Sequence, residues 1–339
     1  MNQPTISDVA LAAGVSVATV SRALRGLDRV HPETRERVLK AATELDYIAS
    51  PTASSLASGR TRLIGIVTFA MARRFFTETI SAVERTVREH EHHTLFLDFD
   101  EPSPAVRRTQ AQGTMLKRVD GLIVINTELP EPHHELVRRL ALPVVAIGTR
   151  HDNSPLISVD DLSCARTATD HLLELGHRRI AYLGAAPEGS SAYATPQTRF
   201  EGYRRSLDQA GITLSAQSVI ECEWRADDAY RSVRELLDSN EDRPTAILAA
   251  NYEVALGALA ASRTVGLRVP DDLSIIGIDD HALATAFGLA TVRQDATAQG
   301  TAAAQALLAQ LGLAPSDLAT DRVFPVELIT RRSTAPPVA

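Results

Sequence analysis

The sequence predicts a small all-α head followed by an α/β core of two doubly wound, parallel-sheet lobes. Three observations carry this expectation. Residues 5–46 have helical periodicity and no strand-like run. From Leu63 onward, short apolar runs alternate with amphipathic segments, the pattern of parallel strands covered by helices on both faces. The alternation comes as two successive series, which implies two similar lobes with a cleft between them. In such sheets ligands sit beyond the carboxyl ends of the strands.

The head reads as three helices. Ile6, Val9 and Ala10 share one face of the first, and Ala10 is small enough for a second helix to cross closely. Gly14 can take the left-handed conformation that stops a helix. Val15 plugs the corner and Ser16 caps the next helix. That second helix buries Val20 and Leu24 and exposes Val17, Ala18, Ser21 and Arg22. The third starts near Pro32 with Glu33 in its first turn, and buries Val38, Leu39, Ala42 and Leu45. Helix, glycine corner and capped helix form a helix-turn-helix, whose second helix enters the major groove of DNA.

Residues 49–60 form a Ser-rich linker. The first core series is Leu63–Phe69, Phe76–His90, Thr94–Phe99, Ala105–Arg118, Gly121–Ile125, Pro132–Leu140 and Val144–Ile147. The second is Cys164–Leu175, Arg179–Leu183, Thr198–Ala210, Val219–Glu223, Ala226–Ser239, Ala246–Ala250, Val254–Thr264 and Leu273–Ile278.

Composition narrows the function. The 339 residues are 44% apolar and 23% charged, as in an ordinary globular protein. Cys164 and Cys222 are far apart and in no Cys-x-x-Cys motif, so neither a disulfide framework nor a cysteine-built zinc site is expected. Met1 to Ala10 lacks the basic and apolar regions of a secretory signal. The longest apolar stretch, residues 245–262, is interrupted by Asn251 and Glu253, so no membrane span is expected. Residues 1–60 hold seven basic and six acidic groups, a net of +1, while the remainder holds 28 and 36, a net of −8. An acidic body with an arginine-bearing head suits a polyanion partner at the head alone. There is no Gly-x-Gly-x-x-Gly after a strand, no P-loop, no His-Glu-x-x-His and no Gly-x-Ser-x-Gly, which argues against an enzyme. His92-His93 and His133-His134 are adjacent pairs whose side chains diverge, so no metal site is expected.

Several strings together resemble one family. Thr5–Asp8, Ala13–Ser16, Thr19–Arg22, Pro32–Lys40 and Tyr47-Ile48 look like the N-terminus of the LacI/GalR family of bacterial transcription repressors. His171-Leu172, Gly176–Ala181, Arg199–Tyr203, Pro270–Gly277 and Arg331–Thr334 continue the match through the core. The resemblance implies two lobes like those of a periplasmic binding protein, a homodimer, and an effector in the cleft. Four positions depart from the family pattern: Ser50 and Asp161 stand where Asn is usual, Tyr252 where Asp is usual, and Ile278 where an aromatic residue is usual. These bear on specificity rather than architecture.

On the resemblance, the DNA-contacting residues are Thr5, Ser16, Val17, Ala18, Thr19, Ser21 and Arg22 in the head, with Ala53 and Leu56 in the hinge. Val17 and Ala18 suit thymine methyls, and Arg22 suits guanine O6 and N7. The hydroxyls suit phosphates. A hinge helix over Ser50–Ser58, too short to be stable alone, would fold in the minor groove, where Leu56 wedges between base pairs. The effector residues are Phe75, Phe76, Arg199, Trp224, Asn251, Asp279 and Gln294, the last on a crossover between lobes. Arg199 and Asp279 are expected to grip hydroxyls from opposite sides, with Trp224 under the ring. Arg73 and Arg74 could face an anionic effector.

The expected organisation is a head at 1–48, a hinge and linker at 49–61, and a core at 62–339. Lobe one takes about 62–160 and 294–324, and lobe two about 161–293 and 325–339. The expected function is a cytoplasmic, dimeric repressor of a carbohydrate-utilisation operon. It needs no cofactor and no metal, binds double-stranded operator DNA, and is controlled by a sugar-like effector. The alternatives are a regulator responding to a phosphorylated sugar, sugar acid or purine, or a cytoplasmic sugar-binding protein.

Overall fold

The computed structural model describes residues 4–24, 27, 30–47, 60–68, 71, 73–98, 115–129, 131–184, 195–215, 218–239 and 243–338. The hinge helix expected over 50–58, with Ala53 and Leu56, lies outside the described residues. So does the helix expected over 105–118, except that Leu116–Arg118 forms a 3-10 turn. The chain divides into two compact units, residues 1–62 and 63–339.

The first unit holds α1 (Ile6–Ala13), α2 (Val17–Leu24) and α3 (Pro32–Glu44). The Asp8 carboxylate accepts from both the Thr5 N–H and the Thr5 hydroxyl, at 2.7 and 2.8 Å, which fixes the start of α1. Gly14 ends it with φ 66° and ψ 36°. Ser16 Oγ accepts from the Thr19 N–H at 3.1 Å, so it caps α2. Val9, Val20 and Val38 are fully buried at the centre of the head, ringed by Ala10, Ala13, Ala23, Ala41 and Ala42. Two sequence expectations fail here. Leu39 is 48% exposed, because its neighbour Val38 sets the inward stripe through Ala41, Ala42 and Leu45, about 100° round the helix. On α2 it is Ala23 that is buried, while Leu24 is half-buried.

The second unit contains two six-stranded sheets. The first has the order β11-β5-β4-β3-β1-β2 and is parallel throughout. Its strands are β1 (Leu63–Thr68), β2 (His93–Asp98), β3 (Gly121–Ile125), β4 (Val144–Ile147), β5 (Leu156–Val159) and β11 (Arg322–Phe324). The second has the order β12-β10-β9-β8-β6-β7. It comprises β6 (Ile180–Gly184), β7 (Val219–Glu221), β8 (Ala246–Ala249), β9 (Ser274–Ile278), β10 (Ala290–Arg293) and β12 (Glu327–Ile329). Only the edge strand β12 is antiparallel, against β10. Each sheet is the centre of one lobe. The chain therefore passes between lobes three times, after β5, after β10 and after β11.

Lobe one carries α4 (Arg74–Arg88), α5 (Glu131–Leu140) and α11 (Ala296–Gln310). Lobe two carries α6 (Asp161–Glu174), α7 (Thr195–Gln209), α8 (Ala226–Ser239), α9 (Tyr252–Thr264) and α10 (Ala282–Phe287). The central strands β3, β4, β6, β8 and β9 are buried along their whole length, as expected of sheets covered on both faces. Each lobe has a separate apolar cluster on either side of its sheet. The elements absent from the sequence reading are β5, β10, β11, β12, α10 and α11. Five of them are short. The sixth, α11, is apolar nearly all round and ten of its residues are buried, so it shows no polar stripe to mark a period.

Candidate functional site

In the head, the axes of α1 and α2 turn through 99°, within the range of a helix-turn-helix. The exposed face of α2 presents Val17, which is 43% exposed, together with Ala18 and Arg22. Ser21 is half-buried beside them. The Ser16 and Thr19 hydroxyls bond each other at 2.8 Å, and the Thr5 hydroxyl donates to Asp8. These hydroxyls build the helix ends.

In the core, all seven residues expected to hold an effector line one cavity of about 40 Å³. Lobe one supplies Phe75 and Phe76 from the first turn of α4, packed edge to face with centroids 5.5 Å apart. Lobe two supplies Arg199 from α7, Trp224 from the turn before α8, Asn251 at the start of α9, and Asp279 just after β9. Gln294 sits at the crossover that leaves β10. Every polar residue among these stands at a strand end or helix start, where the fold opens its cleft.

Arg199 is the hub. Its side chain is 3% exposed. Its Nε donates to Asp161 Oδ1 at 2.7 Å and its Nη1 to the Ala250 carbonyl at 2.6 Å. Its Nη2 lies 3.9 Å from Asp279 Oδ1. Burial works against the guanidinium charge, but the Asp161 and Asp279 carboxylates outweigh it and hold the pKa above its ordinary value. The guanidinium also lies over the Trp224 ring, 5.4 Å from its centroid. Burial pushes the Asp279 carboxyl up, against the pull of Arg199 and a hydrogen bond from Gln294 Nε2. Gln294 is itself held by Gln299 Nε2 at 3.1 Å.

This corrects one expectation. Arg199 and Asp279 do not face each other across a ligand. They are neighbours on lobe two, with Nη2 and Oδ1 on the same side of the cavity. Asn251 is likewise partly committed: its Oδ1 caps α9 by accepting from the Val254 N–H at 2.8 Å. The arginine pair divides. Arg73 lines the cavity, whereas Arg74 turns away to Glu78, with Nε 3.1 Å from Oε1.

The sequence reading missed Asn126, Thr195 and Glu253 as cavity residues, and treated Tyr252 only as a departure from a family pattern. Asn126 directly follows the apolar run of β3, a strand end where ligands of such sheets sit. Thr195 Oγ1 donates to Asp161 Oδ2 at 3.3 Å, so Asp161 is fastened from two sides. Two buried polar atoms in the cavity have no hydrogen-bond partner among the described residues: Trp224 Nε1 and Asn126 Oδ1. One is a donor and the other an acceptor, contributed by opposite lobes. Buried polar groups left in this way are costly unless a ligand or water meets them.

The comparisons with known proteins agree with this layout. Residues 5–50 match the model of bacterial regulatory proteins of the lacI family, and residues 169–334 match the periplasmic binding protein-like domain. The chain is 32% identical over 334 residues to the HTH-type transcriptional repressor PurR of Mannheimia succiniciproducens, covering 97% of this chain and 98% of that one. The chain belongs to the LacI family. It is also 32% identical over 335 residues to the ribose operon repressor of Halalkalibacterium halodurans, covering 97% of each chain. The lac repressor dimer bound to operator and the anti-inducer ONPF superposes with a TM-score of 0.84 at 27% identity, covering 98% of this chain and all of that one. This LacI-family chain is therefore a transcriptional regulator and not an enzyme. Among the described residues, no single helix is long and apolar enough to cross a membrane.

Proposed function

We propose that this regulator represses a carbohydrate-utilisation operon from the cytoplasm, and that a sugar-like effector in the interlobe cavity controls it. The observation that carries the effector reading is the cavity's polar equipment. A buried arginine bracketed by two carboxylates offers donors and acceptors side by side, as vicinal hydroxyls require. Trp224 Nε1 and Asn126 Oδ1 await one acceptor and one donor, and a hydroxyl is both. A planar purine is favoured less. Phe75 and Phe76 stand at 89° to each other, and the Arg199 guanidinium already lies over the Trp224 ring.

The protein acts as a homodimer on a roughly two-fold operator, with half-sites about one helical turn apart. Val17, Ala18 and Arg22 read base edges, while Thr5, Ser16, Thr19 and Ser21 meet phosphates. Ala53 and Leu56 act in the minor groove. Arg22→Ala relaxes base preference by roughly 1–3 kcal/mol of discrimination. Equal losses on operator and random DNA would make Arg22 a phosphate contact instead. Effector and operator are coupled through the lobes by roughly 1–3 kcal/mol.

The test is a thermal-shift screen of neutral sugars, sugar acids, sugar phosphates and purines, followed by operator titration with the best hit. A neutral sugar is the expected hit. A purine or an anionic compound as the sole hit would replace the sugar reading and give Arg73 a role.

A further inference from the structure

We propose that His134, His151 and Asp152 form a binding site on lobe one for a single borderline divalent transition-metal ion of the zinc class. None of the three lines the effector cavity. His134 is on α5, and the other two lie in the turn that follows β4. One ligand atom from each residue lies within 4.8 Å of the other two. His134 Nε2 is 2.7 Å from Asp152 Oδ2, and the two imidazole rings are 4.6 Å apart between centroids. Adjacent side chains of an extended segment diverge. Here Asp152 adopts a φ of 45°, in the left-handed region that Asp tolerates better than most residues. His151 and Asp152 consequently point to the same place.

Two imidazole nitrogens and one carboxylate oxygen are the donor set of open zinc sites, with the fourth position left to water. They also suit other borderline ions such as cobalt(II) and nickel(II). Glu131 Oε1 lies 4.0 Å from His134 Nδ1, on the far side of the ring from Asp152. The site is open to entry: Asp152 is 38% exposed and His134 is 18% exposed.

Arg138 is the counterweight. Its Nε and Nη2 reach the two Asp152 oxygens at 3.0 and 3.1 Å. A carboxylate has about four lone-pair sites, so Asp152 serves arginine and metal together, but the nearby cation weakens the metal. No ligand spacing in the sequence points to this site, because His134 stands beside His133. His133 is buried elsewhere, and the true partner lies 17 residues further on, at His151.

The experiment uses the full-length chain without a tag, treated with chelator and desalted. Zinc chloride is titrated by calorimetry, and cobalt(II) by its visible absorption. Wild type is expected to take one zinc per chain and to give the visible bands of a low-coordinate cobalt site. His151→Gln and Asp152→Asn weaken zinc by about ten-fold or more, while His93→Gln leaves it unchanged. Arg138→Gln tightens zinc several-fold, and this holds even if a ligand variant folds poorly. Circular dichroism without metal checks the fold of each variant. Zinc binding that is absent, or equal in wild type, His151→Gln, Asp152→Asn and Arg138→Gln, would overturn the proposal and leave His134, Asp152 and Arg138 as an ion-pair clasp only.

Discussion

The two lobes share one architecture and furnish their common cavity in opposite ways. Lobe two brings the charges, already tied down. Arg199 is bonded to Asp161 and Ala250, Asp279 is held by Gln294, and Asn251 caps a helix. Lobe one brings Phe75, Phe76, Asn126 and Arg73. Phe76 is 6% exposed and belongs to the lobe-one core. The polar groups of lobe two are bonded within that lobe or to the crossover, whereas the Asn126 acceptor of lobe one has no partner among the described residues. Preorganised polar groups cost no reordering when ligand binds.

The largest expected effect is that of Arg199→Ala. It leaves Asp161 and Asp279 in a buried site without their cation, a loss of about 3–5 kcal/mol. Chemical denaturation should show the core destabilised, and operator titration should show no response to the effector. Arg199→Lys should recover part of the stability. A variant with full core stability would mean that the carboxylates find other partners and that lobe two is less preorganised than described.

Asn126→Gly sharpens the contrast from the other lobe. Glycine accepts the φ of 47° found at Asn126, and the substitution removes an acceptor that has no partner among the described residues. Core stability should change by less than about 1 kcal/mol. Effector affinity should fall by about 1 kcal/mol, roughly five-fold, as for one lost hydrogen bond. Calorimetry separates the two. Equal losses in stability and affinity would place Asn126 in the same class as Arg199.

Asn251→Ala removes the cap of α9 and should cost about 1 kcal/mol. Asn251→Asp should restore most of it, since Asp is an equally good cap. The loss should appear in lobe two by hydrogen exchange while lobe one stays protected.

The smallest effect is that of pH. Burial lowers the pKa of His151, His171, His177 and His281 below the ordinary 6.5. The unfolded chain then binds more protons than the folded one at and below that pH. Stability is fully present above pH 6.5 and declines as the pH falls toward the lowered folded-state values. Three of the four are in lobe two, and His171 and His177 hold Thr334 and Ala335 of the C-terminal segment. Thermal unfolding at pH 7.5, 6.5 and 5.5 should show the decline, and His177→Gln should flatten it. A rise in stability over that interval would contradict the assignment.

The cavity was more legible in the sequence than the edges of the fold. Apolar runs such as Gly121–Ile125 and Ala246–Ala249 announce central strands, because both of their faces are buried. The edge strands Arg322–Phe324 and Glu327–Ile329 have three residues each and are largely exposed or half-buried, so they carry no such signature. Helix α11 was hidden for the reverse reason, being buried nearly all round. At the site, the family resemblance pointed to Arg199, Asp279 and Asn251. It could not reveal that Asp161, 38 residues before Arg199, supplies the closest carboxylate. That pairing arises only when α6 and α7 pack side by side.

We propose that the effector binds among these residues. Trp224 is the sole tryptophan of the chain and lines the cavity, so its fluorescence reports on that site alone. The direct measurement is a titration of the best screening hit, followed by tryptophan emission and by operator binding in the same solution. The account predicts a saturable change in emission whose midpoint matches the change in operator affinity. An effector that alters operator binding while the Trp224 emission stays constant would place the controlling site elsewhere.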